Sequence, residues 1–262
     1  MENIKFDLET KRKLLYKRKR RRKLIFRITL ISFCILSLSI IYLIKNNLYF
    51  TNKVPLTTGK SNNIIICLDP GHGEWDSGSK GKSGVMEKDI VLDIALELGN
   101  LLEDNNIKVV YTRTNDSLPW IETANDSLKE RILISKTLKA DLFISLHCNS
   151  SEENPTSKGV ETWYKANDDN SKNLANYLQN ALVELNYTEN RSIKTYENKN
   201  DAFAVLELNS NIPVLLELGF LSNIDDEKFL SSKSGKSKIV NALNKAILKY
   251  IEDNKSTIYS HQ

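Results

Sequence analysis

From residue 64 onward, apolar and polar positions switch between two periods. Ile64-Ile65-Ile66-Cys67-Leu68 is an unbroken apolar run, the mark of a strand buried on both faces. It breaks at Asp69-Pro70-Gly71-His72-Gly73, a turn-rich segment. Beyond Asp89, Ile90, Val91, Ile94, Leu98, Leu101 and Leu102 recur at spacings of three and four, which predicts a helix. Val109-Val110-Tyr111-Thr112 predicts a second strand, Leu128 to Leu138 a helix, and Leu142-Phe143-Ile144-Ser145-Leu146-His147 a third strand. Val160 to Tyr164 alternates as a half-buried strand does. Leu174, Leu178, Leu182 and Leu185 mark a helix, Val214-Leu215-Leu216-Glu217 a buried strand, and Ile239, Val240, Leu243, Ile247 and Ile251 a closing helix. Strands separated by helices need crossovers, so the expected fold is a single α/β domain: a mostly parallel twisted sheet with helices on both faces.

The first 63 residues follow another pattern. Lys17 to Lys23 is wholly basic, and Ile28 to Ile44 is a run of seventeen uncharged residues closed by Lys45. That length spans a bilayer as a helix, and Arg27 at its edge can snorkel to the headgroups. The positive-inside rule then predicts a basic cytoplasmic tail (1–27), a transmembrane signal anchor (28–44), an extracytoplasmic stalk (45–61), a catalytic domain (62–254) and a short tail (255–262). A cleavable signal peptide is the competing reading, but Tyr42-Leu43-Ile44-Lys45-Asn46-Asn47 lacks a small-residue cleavage pattern. The adjoining span also argues against a nucleic-acid role for the basic run, and no nucleic-acid partner is expected.

Composition sharpens this picture. Of 262 residues, 40% are apolar and 27% charged, which excludes a multi-span membrane protein, a fibre or a wholly disordered chain. The net charge of +4 averages two regions: residues 1–27 carry +9 and the remainder −5. Three cysteines without a CxxC rule out a disulfide-stapled scaffold or a cysteine zinc finger. Cys67 and Cys148 read as buried thiols, with a disulfide between them as the alternative in an oxidising compartment.

The histidine list is short: His72, His147 and the penultimate His261. His72, His147 and Glu217 each fall at or just after a predicted strand end, where ligands gather in open α/β sheets. Two imidazoles invite a metal, with a third ligand among Glu74, Asp76, Glu87 and Cys148. Cys148 is disfavoured because adjacent strand residues face opposite sides. Each residue also has a bland reading: a hydrogen-bonded strand-end histidine for His72 and His147, a first-turn helix residue for Glu87. Glu217 sits inside an apolar stretch, costly for a carboxylate unless it is paired or near a metal.

The motifs Asp69-Pro70-Gly71-His72-Gly73, Glu87 fifteen residues on, Ser145-Leu146-His147-Cys148-Asn149 and Leu216-Glu217-Leu218-Gly219-Phe220-Leu221-Ser222-Asn223 resemble the zinc-dependent N-acetylmuramoyl-L-alanine amidases of bacterial cell walls, the type 3 amidases. Tyr111-Thr112-Arg113, Asp116 and Arg131 fit the same pattern, and the resemblance runs from about Ile64 to Leu230. It departs at Glu74-Trp75-Asp76, where relatives carry more glycine, and at Cys148, where a small residue is usual. The resemblance implies zinc held by His72, Glu87 and His147, with Glu217 as catalytic acid–base. Arg113 and Asn149 are candidates for substrate contacts or for supporting the ligands; a purely structural role is the alternative for both. The implied substrate is peptidoglycan, cut between N-acetylmuramic acid and the L-alanine of the stem peptide. The anchor places that activity at the cell membrane, facing the wall. Rival readings are a zinc peptidase, a catalytically silent wall-binding or regulatory module, and a tethered recruiter of other wall enzymes. Sporulation, cell separation and wall turnover all remain open as roles.

Overall fold

The structure, a computed structural model, describes residues 64–118, 123–198 and 202–260. The tail, span and stalk expected over residues 1–61 lie outside the described residues, as does His261. No helix among the described residues is long and apolar enough to cross a membrane.

In chain order the elements are β1 (Ile65–Pro70), α1 (Glu87–Asp104), β2 (Lys108–Tyr111), α2 (Ala124–Thr137), β3 (Leu142–Asn149), β4 (Val160–Tyr164), α3 (Asp169–Val183), β5 (Asn190–Lys194), α4 (Ala204–Glu207), β6 (Ile212–Phe220), α5 (Ile224–Ser231) and α6 (Lys233–Ser260). The six strands form one sheet in the order β2-β1-β3-β6-β4-β5. Four of its five pairings are parallel, and β4 alone runs antiparallel to its neighbour β6. The exception has a local cause. Residues 150–159 join β3 to β4 without a helix, too short a link for the crossover a parallel return needs.

The sheet has two unlike faces. On one, Ile66, Leu68, Ile144, Leu146, Val214 and Leu216 join the apolar stripes of α1, α3 and α6 in the main core. On the other, Cys67, Phe143 and Leu215 meet α4 through Val205 and Leu206, with Leu128 and Ile132 of α2 at the margin. Cys67 and Cys148 are therefore on opposite faces and both are free thiols, so the expected alternative of a disulfide is overturned. The closing helix kinks at Asn254 and continues past the expected domain end at residue 254, with Ile258 buried in the main core. β5 and α5 carry too weak an apolar pattern to be read from sequence: β5 is the polar edge segment Asn-Arg-Ser-Ile-Lys. α5 announces itself only through its cap, where the Asn223 side chain accepts from the backbone of Asp225 and Asp226.

At the carboxyl end of β1 lies a buried polar knot. Asp69 accepts from Thr112 Oγ1 (2.6 Å), Ser145 Oγ (2.6 Å) and Arg131 Nη1 (2.6 Å). Burial by itself would raise this carboxyl; Arg131 and the two hydroxyls outweigh it and hold it below the usual range. Asp69→Ala leaves a buried guanidinium without its counterion and is expected to cost about 3–5 kcal/mol, measured by urea unfolding at neutral pH. Because the folded pKa is depressed, this stabilisation is present above the unfolded value of about 3.9 and is lost as the pH falls from there through the folded value. The gap between wild type and variant should accordingly narrow on acidification.

Candidate metal centre

The turn after β1 carries His72 in a left-handed backbone conformation (φ 61°), a strain on the order of 1–3 kcal/mol that persists only where surroundings enforce it. Two arginines supply the enforcement. Arg131 donates from Nη1 to Pro70 O (2.8 Å) and from Nη2 to His72 O (2.5 Å). Arg113 donates from Nε to Pro70 O (2.9 Å) and from Nη2 to Gly71 O (2.8 Å) and Lys88 O (2.7 Å). Arg113 is 3% exposed and its hydrogen bonds all go to backbone carbonyls. Its place is under the turn that carries His72, whose backbone it holds.

Three side chains converge above this turn. His72 Nε2, His147 Nδ1 and Glu87 Oε1 lie 3.0 to 3.1 Å from one another. His72 comes from the strained turn, His147 from the third-last position of β3, and Glu87 from the first residue of α1. Glu87 is 2% exposed. Its Oε1 also accepts from Cys148 N (2.8 Å), and its Oε2 accepts from Ser79 N (2.8 Å). Burial would raise the Glu87 carboxyl, but the two histidines outweigh that and hold it well below the carboxylate range. For His72, burial works to lower the imidazole pKa, and the facing Glu87 and Asp76 carboxylates prevail and raise it.

The donor set fits a tetrahedral ion. Ligand bonds of about 2.0–2.1 Å place ligand atoms roughly 3.3 Å apart, close to the spacing found. His72 Nδ1 meets Asp76 Oδ2 at 2.8 Å, which fixes the tautomer with the Nε2 lone pair turned into the gap. His72, Glu87 and His147 are also the group among the described residues whose geometry could hold a metal. The other third-ligand candidates go elsewhere: Asp76 supports His72, Glu74 Oε2 accepts from Leu118 N (2.9 Å), and the Cys148 thiol is buried on the far face.

Glu217 is the Cα partner of His147 across the parallel β3–β6 pair, so the two share a face one strand apart. Its Oε2 is buried without a hydrogen-bond partner among the described residues. Burial pushes its carboxyl well above the usual range, and Glu87 and Glu161 push it further against the pull of Lys194. Asn149 does not reach the three converging atoms; its Nδ2 donates to Glu161 Oε1 (3.2 Å). Glu161 itself escaped the sequence, although a glutamate that is 3% exposed at the start of an alternating strand is the kind of signal that could have found it. Trp163 packs edge-on against Phe203 and donates to Glu161, while Trp75 stands 56% exposed in the turn.

A polar cleft of about 700 Å3 opens beside the converging atoms, lined by Gly78, Ser79, Lys80, Lys82, Ser150 and Ser222. A groove of about 830 Å3 lies away from them, between α3 and α6, and contains none of the three residues. Volume alone does not mark this site; the donor atoms do.

The sequence model of the N-acetylmuramoyl-L-alanine amidase family matches residues 66–249. The chain is 33% identical over 187 residues to the N-acetylmuramoyl-L-alanine amidase LytC of Bacillus subtilis (strain 168), a match covering 71% of this chain and 35% of LytC. It is 31% identical over 189 residues to YqiI of the same organism, covering 71% of this chain and 84% of YqiI. The chain thus spans about a third of LytC but most of YqiI. Among solved structures it is similar to the CwlD amidase from Clostridioides difficile, solved in complex with the GerS lipoprotein, at 34% identity and a TM-score of 0.67, over 72% of this chain and 99% of that one.

Gly71 and Gly78 wall the centre, and Gly71 gives a clean test. A Cβ on Gly71 would lie 2.3 Å from His147 Cε1, with no left-handed backbone to confuse the effect. Gly71→Ala is expected to displace the imidazole and to weaken zinc binding by about tenfold or more, while the unfolding midpoint moves little; calorimetric titration with zinc reads the first and thermal melting the second. Asp76→Asn should lose about 10–100-fold in metal affinity through the freed His72 ring.

Proposed function

The chain belongs to the N-acetylmuramoyl-L-alanine amidase family, and from that premise we propose that it is a zinc-dependent hydrolase of peptidoglycan. It cuts the amide between N-acetylmuramic acid and the L-alanine of the stem peptide. The observation that carries this is the pairing of three metal-ligating atoms with the orphaned, protonation-prone carboxylate of Glu217 one strand away. His72, Glu87 and His147 hold the metal. Zinc suits two imidazoles and a carboxylate, a set manganese or cobalt can also occupy. When bound, the metal supplies Lewis acidity, polarising an amide carbonyl and acidifying water.

The chain's own residues do the rest. Glu217 accepts a proton at Oε2 from the attacking water and returns it to the departing alanine nitrogen. Burial raises the Glu217 carboxyl above the usual carboxylate range, the direction that favours handing the proton on once it has been taken up. Asp76 holds the His72 ring, and the arginine-bound turn fixes where that ring points. Leu146, Leu216 and Leu218, all fully buried, flank His147 and Glu217 along their strands and keep water from beneath the site.

The reading extends to location. The basic run and apolar span of residues 17–44 support a single-pass anchor with the hydrolase on the extracytoplasmic side, where its polymer lies. A lipoprotein partner of the kind present in the CwlD complex is compatible with that placement.

Digestion of purified peptidoglycan, with mass analysis of the fragments, tests the proposal. New L-alanine amino termini together with peptide-free glycan, abolished by a chelator and restored by zinc, are expected. Cleavage inside the stem peptide instead would replace the amidase by a zinc peptidase. Glu217→Gln should bind zinc as wild type does yet lose hydrolysis by about 10²–10⁴-fold; near-normal turnover in that variant would remove Glu217 from the mechanism.

A further inference from the structure

A row of charged side chains runs on past Glu217 along the same face of the sheet. Glu161 is the Cα partner of Glu217 across the antiparallel β4–β6 pair, so both side chains rise from one face. Glu161 is buried, yet its Oε2 accepts from Arg191 Nε (2.8 Å) and Lys194 Nζ (2.5 Å), both from the edge strand β5. Its Oε1 accepts from Trp163 Nε1 (3.1 Å) and Asn149 Nδ2 (3.2 Å). One buried carboxylate thus fixes two cations, and the trio keeps a surplus positive charge. The cations are not buried with their anchor: the Arg191 and Lys194 side chains are 36% and 31% exposed. Arg191 lies over the Phe220 ring and Lys194 over the Trp163 ring, contacts that hold their stems and leave polar hydrogens for a ligand.

This arrangement is costly as mere scaffolding, since an edge strand needs no buried carboxylate to hold it. It makes sense as a pre-ordered anion receptor. Its position sets the range: Glu161 stands one strand spacing, about 4.8 Å, beyond Glu217, and one residue of extended peptide covers about 3.3–3.6 Å. Arg191 and Lys194 come from the next strand out, β5, and reach back to Glu161, so an anion held by them lies about two to three residues from the amide being cut. On the glycan side of that amide the lactyl ether, acetamido and hydroxyl groups are neutral. On the peptide side the second residue is a glutamate whose α-carboxyl is either free or amidated.

We propose that Arg191 and Lys194, fixed by Glu161, form a subsite for the free α-carboxylate of the second stem-peptide residue, so that the protein distinguishes unamidated from amidated peptidoglycan. This rests on the amidase function proposed above, and it assigns to that site a substrate preference.

The test uses the full-length chain with zinc and two substrates differing in one group: N-acetylmuramyl-L-alanyl-D-glutamate and its α-amide. Wild type should favour the carboxylate in kcat/KM by about tenfold or more, the worth of a charge-assisted hydrogen bond. Arg191→Gln and Lys194→Gln should each bring that ratio toward one. A merely structural role would depress both substrates together and leave the ratio intact. Equal cleavage by wild type, or a preference that survives both substitutions, overturns the subsite while leaving the amidase standing. If neither substrate is cut, the amidase reading fails and the subsite is judged by calorimetry with L-alanyl-D-glutamate and its α-amide. Preference for the carboxylate, lost in the two variants, then supports it; equal binding of the two dipeptides sinks it.

Discussion

Three successive carbonyls, those of Pro70, Gly71 and His72, point into protein where the chain leaves β1, and buried acceptors must be satisfied. Arg113 and Arg131 satisfy them, and Asp69 in turn neutralises Arg131. Backbone hydrogen bonds from Gly71 N to Leu146 O and from Gly73 N to Asp76 O bracket the strained backbone at His72 and add to this clamp. Without this clamp the turn would relax and the ring would swing away from Glu87 and His147. The candidate metal centre therefore rests on a knot of hydrogen bonds beneath its three residues, drawn from β1, the segment after β2, α2 and β3. Removing any strand of that knot loosens the rest, which is the behaviour expected of a buried polar network.

Much of this was legible in the sequence because it is local. Apolar runs set β1, β3 and β6, and the residues at their ends fell where an open sheet gathers ligands. The parity of a strand was enough to send the Cys148 thiol away from the site. Glu87 was more ambiguous, since a glutamate in a first helical turn needs no metal to explain it; the structure shows that it sits in that turn and meets both histidines. What the sequence hid is set by long-range pairing. That β4 lies against β6, and so brings Glu161 opposite Glu217, follows from where a short loop returns, and no periodicity records it. β5 is polar because it is an edge strand, and a polar pentapeptide looks like a loop. Arg113 shows another limit: an arginine near a motif invites a substrate-contact or ligand-supporting reading, and only the fold reveals that it is buried against the carbonyls of the His72 turn.

The two faces of the sheet divide the labour. The apolar face, with α1, α3 and α6, carries the main core. The opposite face is only lightly covered by α2 and α4, and there the polar row from His147 through Glu217 to Glu161 stays accessible at one end. Because β4 and β5 run opposite to the other four strands, the amino end of β4 lies at the edge where β3 and β6 present their carboxyl ends. Residues from both kinds of strand terminus can then meet in one cleft.

The contact between Gly71 and the His147 ring bears on timing as well as shape. The imidazole lies against bare backbone, with no room for even a methyl group between them. A ring so pressed has few rotamers left to lose. The entropy of ordering it is surrendered when the chain folds, so capture of a metal there would be closer to insertion into a finished socket than to assembly of one. Any ion affinity of this site would thus be stored partly in a side chain that is absent.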